Sequence, residues 1–217
     1  GQDVLMLTLR GINTAVLLGL GTALISIPIG LLLGIVAGYF GGRVDDLIVY
    51  LYSTLACVPA ILLLIALMQI MDRGLWQLCF ALGVTGWVGL CRLIRGQTLS
   101  VREQEYVLAA RAVGAGHGRI LLRHIVPNLF HIVIITFTLS FGGIVMSEAI
   151  LSYLGLGVEV DTVSWGRLIQ GARMEFSRDP SVWWPLTSAA TALFVLVLAF
   201  HILGDALRDA LDPRLKK

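Results

Sequence analysis

Charge is what this sequence has least of. Asp, Glu, Lys and Arg make up 14% of its 217 residues, where a soluble domain carries about a quarter. Such a chain has too few solvated groups to cover an ordinary globular surface. The formal net charge is only +2, which excludes the strongly basic footprint of a nucleic-acid binder and implies no nucleic-acid partner. Cysteine is scarce too. Cys57, Cys79 and Cys91 all lie in apolar runs without paired spacing, so they read as small packing residues and exclude a disulfide framework or a thiolate metal site. There is no Gly-x-x-x-x-Gly-Lys-Ser/Thr stretch, so the chain is not expected to bind ATP itself. A catalytic reading finds no Ser/His/Asp constellation and no His-Glu-x-x-His. Nothing at the start resembles a signal peptide, because Asp3 and Arg10 interrupt any apolar core there.

What the sequence has in abundance is long apolar runs. Hydrophobic residues make up 57% of it, and the mean hydropathy is +0.87. Residues 12–39 and 47–71 contain no charge at all, and residues 75–91 form a third run near the minimum length for a span. A fourth run, 129–156, has Glu148 as its only charge, and a fifth covers 186–203. Backbone in lipid must satisfy its own hydrogen bonds, so runs of this length are helices, and the short alternating segments of a barrel are absent. The expected fold is an all-α membrane protein, a polytopic helical bundle of about five transmembrane helices. Its expected divisions are an outer segment at 1–11, a transmembrane domain at 12–204 with an inner loop at 92–128, and an inner tail at 205–217.

The positive charges give the orientation. Eleven lie on one side of the five spans: Arg43, the loop residues Arg92, Arg95, Arg102, Arg111, Arg119 and Arg123, and the tail residues Arg208, Arg214, Lys216 and Lys217. Five lie on the other: Arg10, Arg73, Arg167, Arg173 and Arg178. The positive-inside rule puts the richer side in the cytoplasm, with the first residues of the chain outside. Trp165, Trp183 and Trp184 then fall near outer span ends, where an amphipathic ring is favoured. In the first run Gly30, Gly34 and Gly38 recur every fourth residue, which leaves one helix face bare for close packing of another backbone. Pro28 and Pro59 lie inside runs; each removes one backbone bond and is expected to kink its helix.

The 92–128 loop is far longer than a connection needs. Residues 102–113 are rich in helix formers, Gly114, Gly116 and Gly118 are expected to break that helix, and 119–125 form a second short piece before Pro127. Ala109, Ala110 and Ala112 leave part of the first piece nearly flat. A flat surface flanked by arginines suits docking into a groove on another protein, and it equally suits an amphipathic helix lying on anionic lipid. From the residues alone both readings stay open.

The loop resembles the coupling segment of binding-protein-dependent ABC transporter permeases. In that pattern Glu-Ala-Ala, three residues and Gly are followed by nine residues and Ile-x-Leu-Pro. Here Leu108-Ala109-Ala110 takes the first place, Gly114 the glycine, and His124-Ile125-Val126-Pro127 the end. Leu108, His124 and Val126 depart from the pattern; the spacing, both alanines, Gly114 and Pro127 are kept. The form from Arg123 to Asn128 resembles the peptide and nickel importer branch. So do Ala37-Gly38-Tyr39-Phe40-Gly41-Gly42-Arg43-Val44-Asp45, Ser152-Tyr153-Leu154-Gly155-Leu156-Gly157 with Ser164-Trp165-Gly166, and the tail from Leu203 through Asp212-Pro213. Such permeases usually have six spans; the remaining one is expected to precede Gly1, because Gly1-Gln2-Asp3-Val4-Leu5 resembles the outer segment that follows it.

The resemblance implies a type I importer of the bacterial or archaeal cytoplasmic membrane, without enzymatic activity of its own. Its implied partners are a second, homologous permease subunit, two cytoplasmic ATP-binding subunits that use ATP and Mg, an extracytoplasmic solute-binding protein and the lipid bilayer. Ala109, Ala110 and Gly114 are the expected docking contacts, with Glu105, Leu108, Arg111 and Pro127 in the same loop. Arg102, Glu105 and Arg111 either form rim ion pairs or lie on a solvated face. Glu148 either lines the pathway and meets a peptide amine or sits at the interface in contact with water or headgroups, the latter slightly preferred. Trp165 and Gly166 belong to the outer loop expected to face the binding protein. His117, His124, His131 and His201 lack acids or cysteines at ligand spacing, so no metal site is expected. Peptides are the first cargo; nickel or a nickel chelate is the alternative. A channel or secondary transporter without an ATPase is the reading of a different class, and the missing ionisable groups in the first three runs count against it.

Overall fold

A computed structural model describes residues 3–159, 161–176 and 181–211, with the side chain of Met174 also outside the description. Gly1, Gln2, Arg178, Asp212, Pro213, Arg214, Lys216 and Lys217, used above for motif or orientation, lie outside the described residues. All regular structure among the described residues is helical. In chain order the helices are α1 (Val4–Phe40), α2 (Gly42–Ala56), α3 (Ala60–Ile70), α4 (Leu75–Val101), α5 (Glu105–Ala112), α6 (His117–Ile120), a π-helical turn (Leu121–Ile125), α7 (Val126–Tyr153), α8 (Trp165–Phe176) and α9 (Trp184–Leu211).

The centre of the bundle is the pairing of α1 with α4. Asp3 starts α1 by accepting a hydrogen bond from the Met6 N–H at 3.1 Å, so the helix already includes residues 4–11. Gly41, at φ +66°, ends it. Between these caps run 37 residues, about 55 Å of helix. Its glycine face lies directly on α4. A Cβ on Gly30 would meet the Trp87 carbonyl at 3.0 Å, one on Gly34 the Cys91 carbonyl at 2.8 Å, and one on Gly38 the Arg95 carbonyl at 2.8 Å. No side chain fits between these backbones, so the gain is dispersion over a long seam.

The second apolar run is not one straight span. It divides into α2 and α3, which meet at 83° across Cys57, Val58 and Pro59. Proline has no N–H to continue the ladder, and its ring disfavours helical backbone at Val58. The expected kink is therefore a break, and Cys57 lies exposed beside it, whereas Cys79 and Cys91 are buried packing residues as expected. The third run is longer than expected. Helix α4 continues ten residues past Cys91 to Val101, so Arg92 and Arg95 sit on a helix and not in a loop. Its 27 residues span about 40 Å, more than a hydrocarbon core of about 30 Å.

Pro127 lies inside continuous helix, because α6, the π turn and α7 run on without a break. The wider π turn just before the proline accommodates its ring and missing donor. Gly118 is accordingly helical and breaks nothing. Among the described residues four helices are long and apolar enough to cross a membrane, and five spans result if α2 and α3 count as one. The chain is thus a multi-pass, all-helical membrane protein.

The seam sets an expected outcome. Gly34→Leu forces α1 and α4 apart, and overpacking of this kind costs about 1–3 kcal/mol. The thermal midpoint of the detergent-solubilised protein should fall by several degrees. Gly96→Ala, where a Cβ meets nothing within 4 Å, should hold the midpoint or raise it.

A candidate docking elbow and a cleft between the spans

At the end of the bundle where α1 stops and α7 begins, α5 forms an elbow. Glu105 opens it in the first turn, where a carboxylate favours the helix dipole. Gly114 closes it at φ +80°, a left-handed conformation that glycine adopts without penalty. The helix has two faces. Val107 is completely buried and Ala110 half-buried, both in the cluster of Ile35, Tyr39, Ile94, Ile120, Ile125 and Leu129. Glu105, Leu108, Ala109 and Ala112 point away and are exposed; their spacing of three, four and seven puts them on one side of the helix. Next to them Val113 is 85% exposed.

The predicted loop residues therefore separate. Glu105, Leu108 and Ala109 share the open face, Gly114 is open at its tip, and Ala110 turns inward. Arg111 is exposed, with its guanidinium 5.0 Å from the centre of the Tyr39 ring. Arg102 donates to its neighbour Glu103 at 3.0 Å and to the Gly38 carbonyl at 2.8 Å. A cation there completes the carbonyl-rich end of α1. Pro127 lies beyond the elbow at the start of α7. Beside it, the Asn128 side chain donates to the Tyr106 hydroxyl at 2.7 Å and to the His124 carbonyl at 3.0 Å, which holds α5 against α7.

Two features here escaped the reading of the sequence. Arg95 donates twice to Asp45, at 2.5 and 2.6 Å, and joins α4 to α2 across 50 residues. The Tyr39 hydroxyl and His117 Nδ1 lie 2.9 Å apart. Asp45 and Tyr39 stand in a recognisable motif, but no spacing rule pairs either with its partner. The other histidines also go separate ways. His124 lies against Tyr106, and His201 Nδ1 is 2.9 Å from the Val197 carbonyl. Among the described residues no three His, Cys, Asp or Glu side chains converge on a metal-sized site.

Between α1, α3, α4 and α7 lies a cleft of about 340 Å³. Its polar lining is small and neutral, including Ser26, Thr85, Thr136, Ser140 and Ser147, with Gly86, Gly89 and Gly143 between them. On α7, positions 136, 140, 143 and 147 form a single helical stripe. A search of the spans for charges alone passes over such a stripe.

Glu148 is not in that cleft. It points to the other side of α7, only 3% exposed, and accepts a hydrogen bond from Ser152 Oγ at 2.6 Å, with Ser164 also beside it. The expected contact with water or headgroups is thus corrected, and Glu148 does not line this cleft. Its rotation about the α7 axis is set by packing and is not visible in the sequence. Trp165 is likewise no interfacial anchor. It is 2% exposed, packs against Gly11 and donates from Nε1 to the Thr8 carbonyl at 2.9 Å. Gly166 lets α8 rest on α7, since a Cβ there would meet Ala149 Cα at 2.7 Å. Trp183 and Trp184 remain exposed, as an interfacial position requires.

Comparison with known proteins follows this geometry. The sequence profile described as "Binding-protein-dependent transport system inner membrane component" matches residues 30–217. The oligopeptide transport system permease protein OppC of Bacillus subtilis (strain 168) is 36% identical over 217 residues, covering 100% of this chain and 70% of the relative. The dipeptide transport system permease protein DppC of the same organism is 38% identical over 217 residues, covering 100% of this chain and 67% of the relative. Among solved structures, the MetNI methionine ABC transporter in inward-facing conformations aligns with a TM-score of 0.79 at 16% identity, over 98% of this chain and 99% of that one. At that identity the likeness bears on the fold alone.

The buried joint at Glu148 sets an expected outcome. Glu148→Ala leaves the Ser152 hydroxyl without its acceptor in a buried site, a cost of about 1–3 kcal/mol. Thermal unfolding in detergent should show a lower midpoint for Glu148→Ala and a smaller change for Glu148→Gln, whose amide oxygen still accepts. Equal midpoints for wild type and Glu148→Ala would contradict the joint.

Proposed function

Because this chain belongs to the family of binding-protein-dependent transport system inner membrane components, we propose that it is one permease subunit of an ATP-driven importer of short peptides. A second, homologous permease completes the pathway, one of two ATP-binding subunits docks at the elbow, and an extracytoplasmic binding protein delivers cargo. The observation that carries this reading is the open face of α5, where Glu105, Leu108, Ala109 and Ala112 stand exposed on a helix anchored from behind by Val107. An anchored helix with a low outer face of Leu108, Ala109 and Ala112, edged by Glu105, suits a groove in a partner protein better than free solvent. The ATP and Mg belong to the partner subunits. The elbow side, rich in arginine, lies in the cytoplasm, and α1 begins outside.

Closure of the ATP-binding pair pushes α5, and the long helices carry the displacement into the membrane. Rigid-body rocking of this kind alternates access to a fixed pathway. The cleft suits one wall of that pathway. Its hydroxyl groups offer hydrogen bonds to peptide amides without selecting a side-chain charge, and its glycines keep the wall low. The permease names of the two Bacillus relatives, oligopeptide and dipeptide, support the choice of cargo.

The test is reconstitution in proteoliposomes with the partner permease and ATP-binding subunits, followed by uptake of a labelled dipeptide. Uptake should require ATP and fall when unlabelled oligopeptide competes. Ala109→Trp should abolish it by blocking the open face of α5, with thermal stability unchanged because Ala109 touches no core. Dipeptide uptake that proceeds without the ATP-binding subunits would sink the proposal.

A further inference from the structure

Tyr39 is where three parts of the elbow meet. It is the penultimate residue of α1, yet only 5% exposed. The Arg111 guanidinium, from α5, lies 5.0 Å from its ring centre. His117, the first residue of α6, lies 2.9 Å from its hydroxyl and 5.7 Å from its ring, edge-on. Both arms of the turn around Gly114 thus converge on one side chain of α1. The backbone of the same place is held as well, since Arg102 Nη1 donates to the Gly38 carbonyl at 2.8 Å and lies 3.5 Å from that of Tyr39. An aromatic ring has only two side-chain rotations and is held here from two sides, with its backbone held by Arg102, so it transmits displacement with little slack. Helix α1 is itself locked to α4 along the glycine seam. Both helices line the cleft, through Thr22 and Ser26 on one and Thr85, Gly86 and Gly89 on the other.

We propose that Tyr39 is a positioning residue for energy coupling: clamped between Arg111 and His117, it carries the movement of α5 into the α1–α4 pair. The inference rests on the function proposed above. Val107 alone cannot do this, because an aliphatic contact slides where a cation over a ring and a hydroxyl on an imidazole hold a fixed orientation. Tyr39 is buried behind α5 and does not belong to the open face. Its loss should therefore spare docking and impair transmission. A merely structural contact would lower hydrolysis and uptake together.

The experiment measures ATP hydrolysed and dipeptide accumulated in parallel, with the complete reconstituted complex. Tyr39→Phe keeps the ring under Arg111 and removes the hydroxyl. It should lower the number of peptides moved per ATP about threefold, and Tyr39→Leu about tenfold, because a cation–π contact and a hydrogen bond each correspond to a factor of a few. Arg111→Gln should lower the ratio about threefold, and Arg111→Lys should restore part of it. Tyr39→Leu combined with Arg111→Gln should be no worse than Tyr39→Leu alone, as two members of one contact require. The ATP-binding subunits should still co-purify with each variant. If Tyr39→Leu fails to assemble, Tyr39→Phe and Arg111→Gln carry the same test. An unchanged ratio in these variants overturns the inference while wild-type uptake upholds the importer reading. Absence of ATP-driven uptake in the wild-type complex overturns both.

Discussion

The close approach of α1 and α4 is the constraint on which the rest of this molecule depends. Gly30, Gly34 and Gly38 each face a carbonyl of α4 at a distance that leaves no room for a Cβ. Lipid supplies no hydrophobic drive for helices to associate, so shape has to supply contact. With the two axes held together, Arg102 at the end of α4 reaches the last carbonyls of α1, and Arg95 reaches Asp45 on α2. The seam also fixes which side of each helix remains open. On α1 and α4 that open side carries Thr22, Ser26, Thr85, Gly86 and Gly89 into the cleft.

The two ends of the bundle are built differently. The joint of α1, α7 and α8 is a closed knot: Trp165 donates to α1, Thr14 donates to the Val163 carbonyl at 2.6 Å, and Glu148 takes a hydrogen bond from Ser152. The elbow at the opposite end is anchored on one face only. Val107 and Tyr39 tie it down, while Leu108, Ala109, Ala112 and Val113 stay uncovered. A rigid body with one uncovered, positioned helix is what a transmitted push requires.

Much of this was legible from the residues. The expected helix at 102–113 is α5 at Glu105–Ala112, and Gly114 does turn the chain. The five apolar runs correspond to α1, the α2–α3 pair, α4, α7 and α9. Their ends were less legible. Arg92 and Arg95 look like loop residues by charge, but a helix needs only its own ladder to continue beyond the bilayer. Pro59 announces a disturbance through its missing N–H; the 83° turn depends on what packs around it. Pro127 carries the same signal and breaks nothing, because a π turn takes up the mismatch.

By itself the sequence determined the spans, the bare glycine face, the turn at Gly114 and the family, because hydropathy, repeat spacing and backbone permissiveness are local properties of the chain. Only the tertiary structure decided that the glycine face belongs to α4, that Ala110 turns away from Leu108 and Ala109, that Tyr39 meets Arg111 and His117, and that Glu148 is buried beside Ser152. Each of these depends on the rotation of one helix relative to another. Rotation is set by packing across the whole bundle, and no local pattern encodes it.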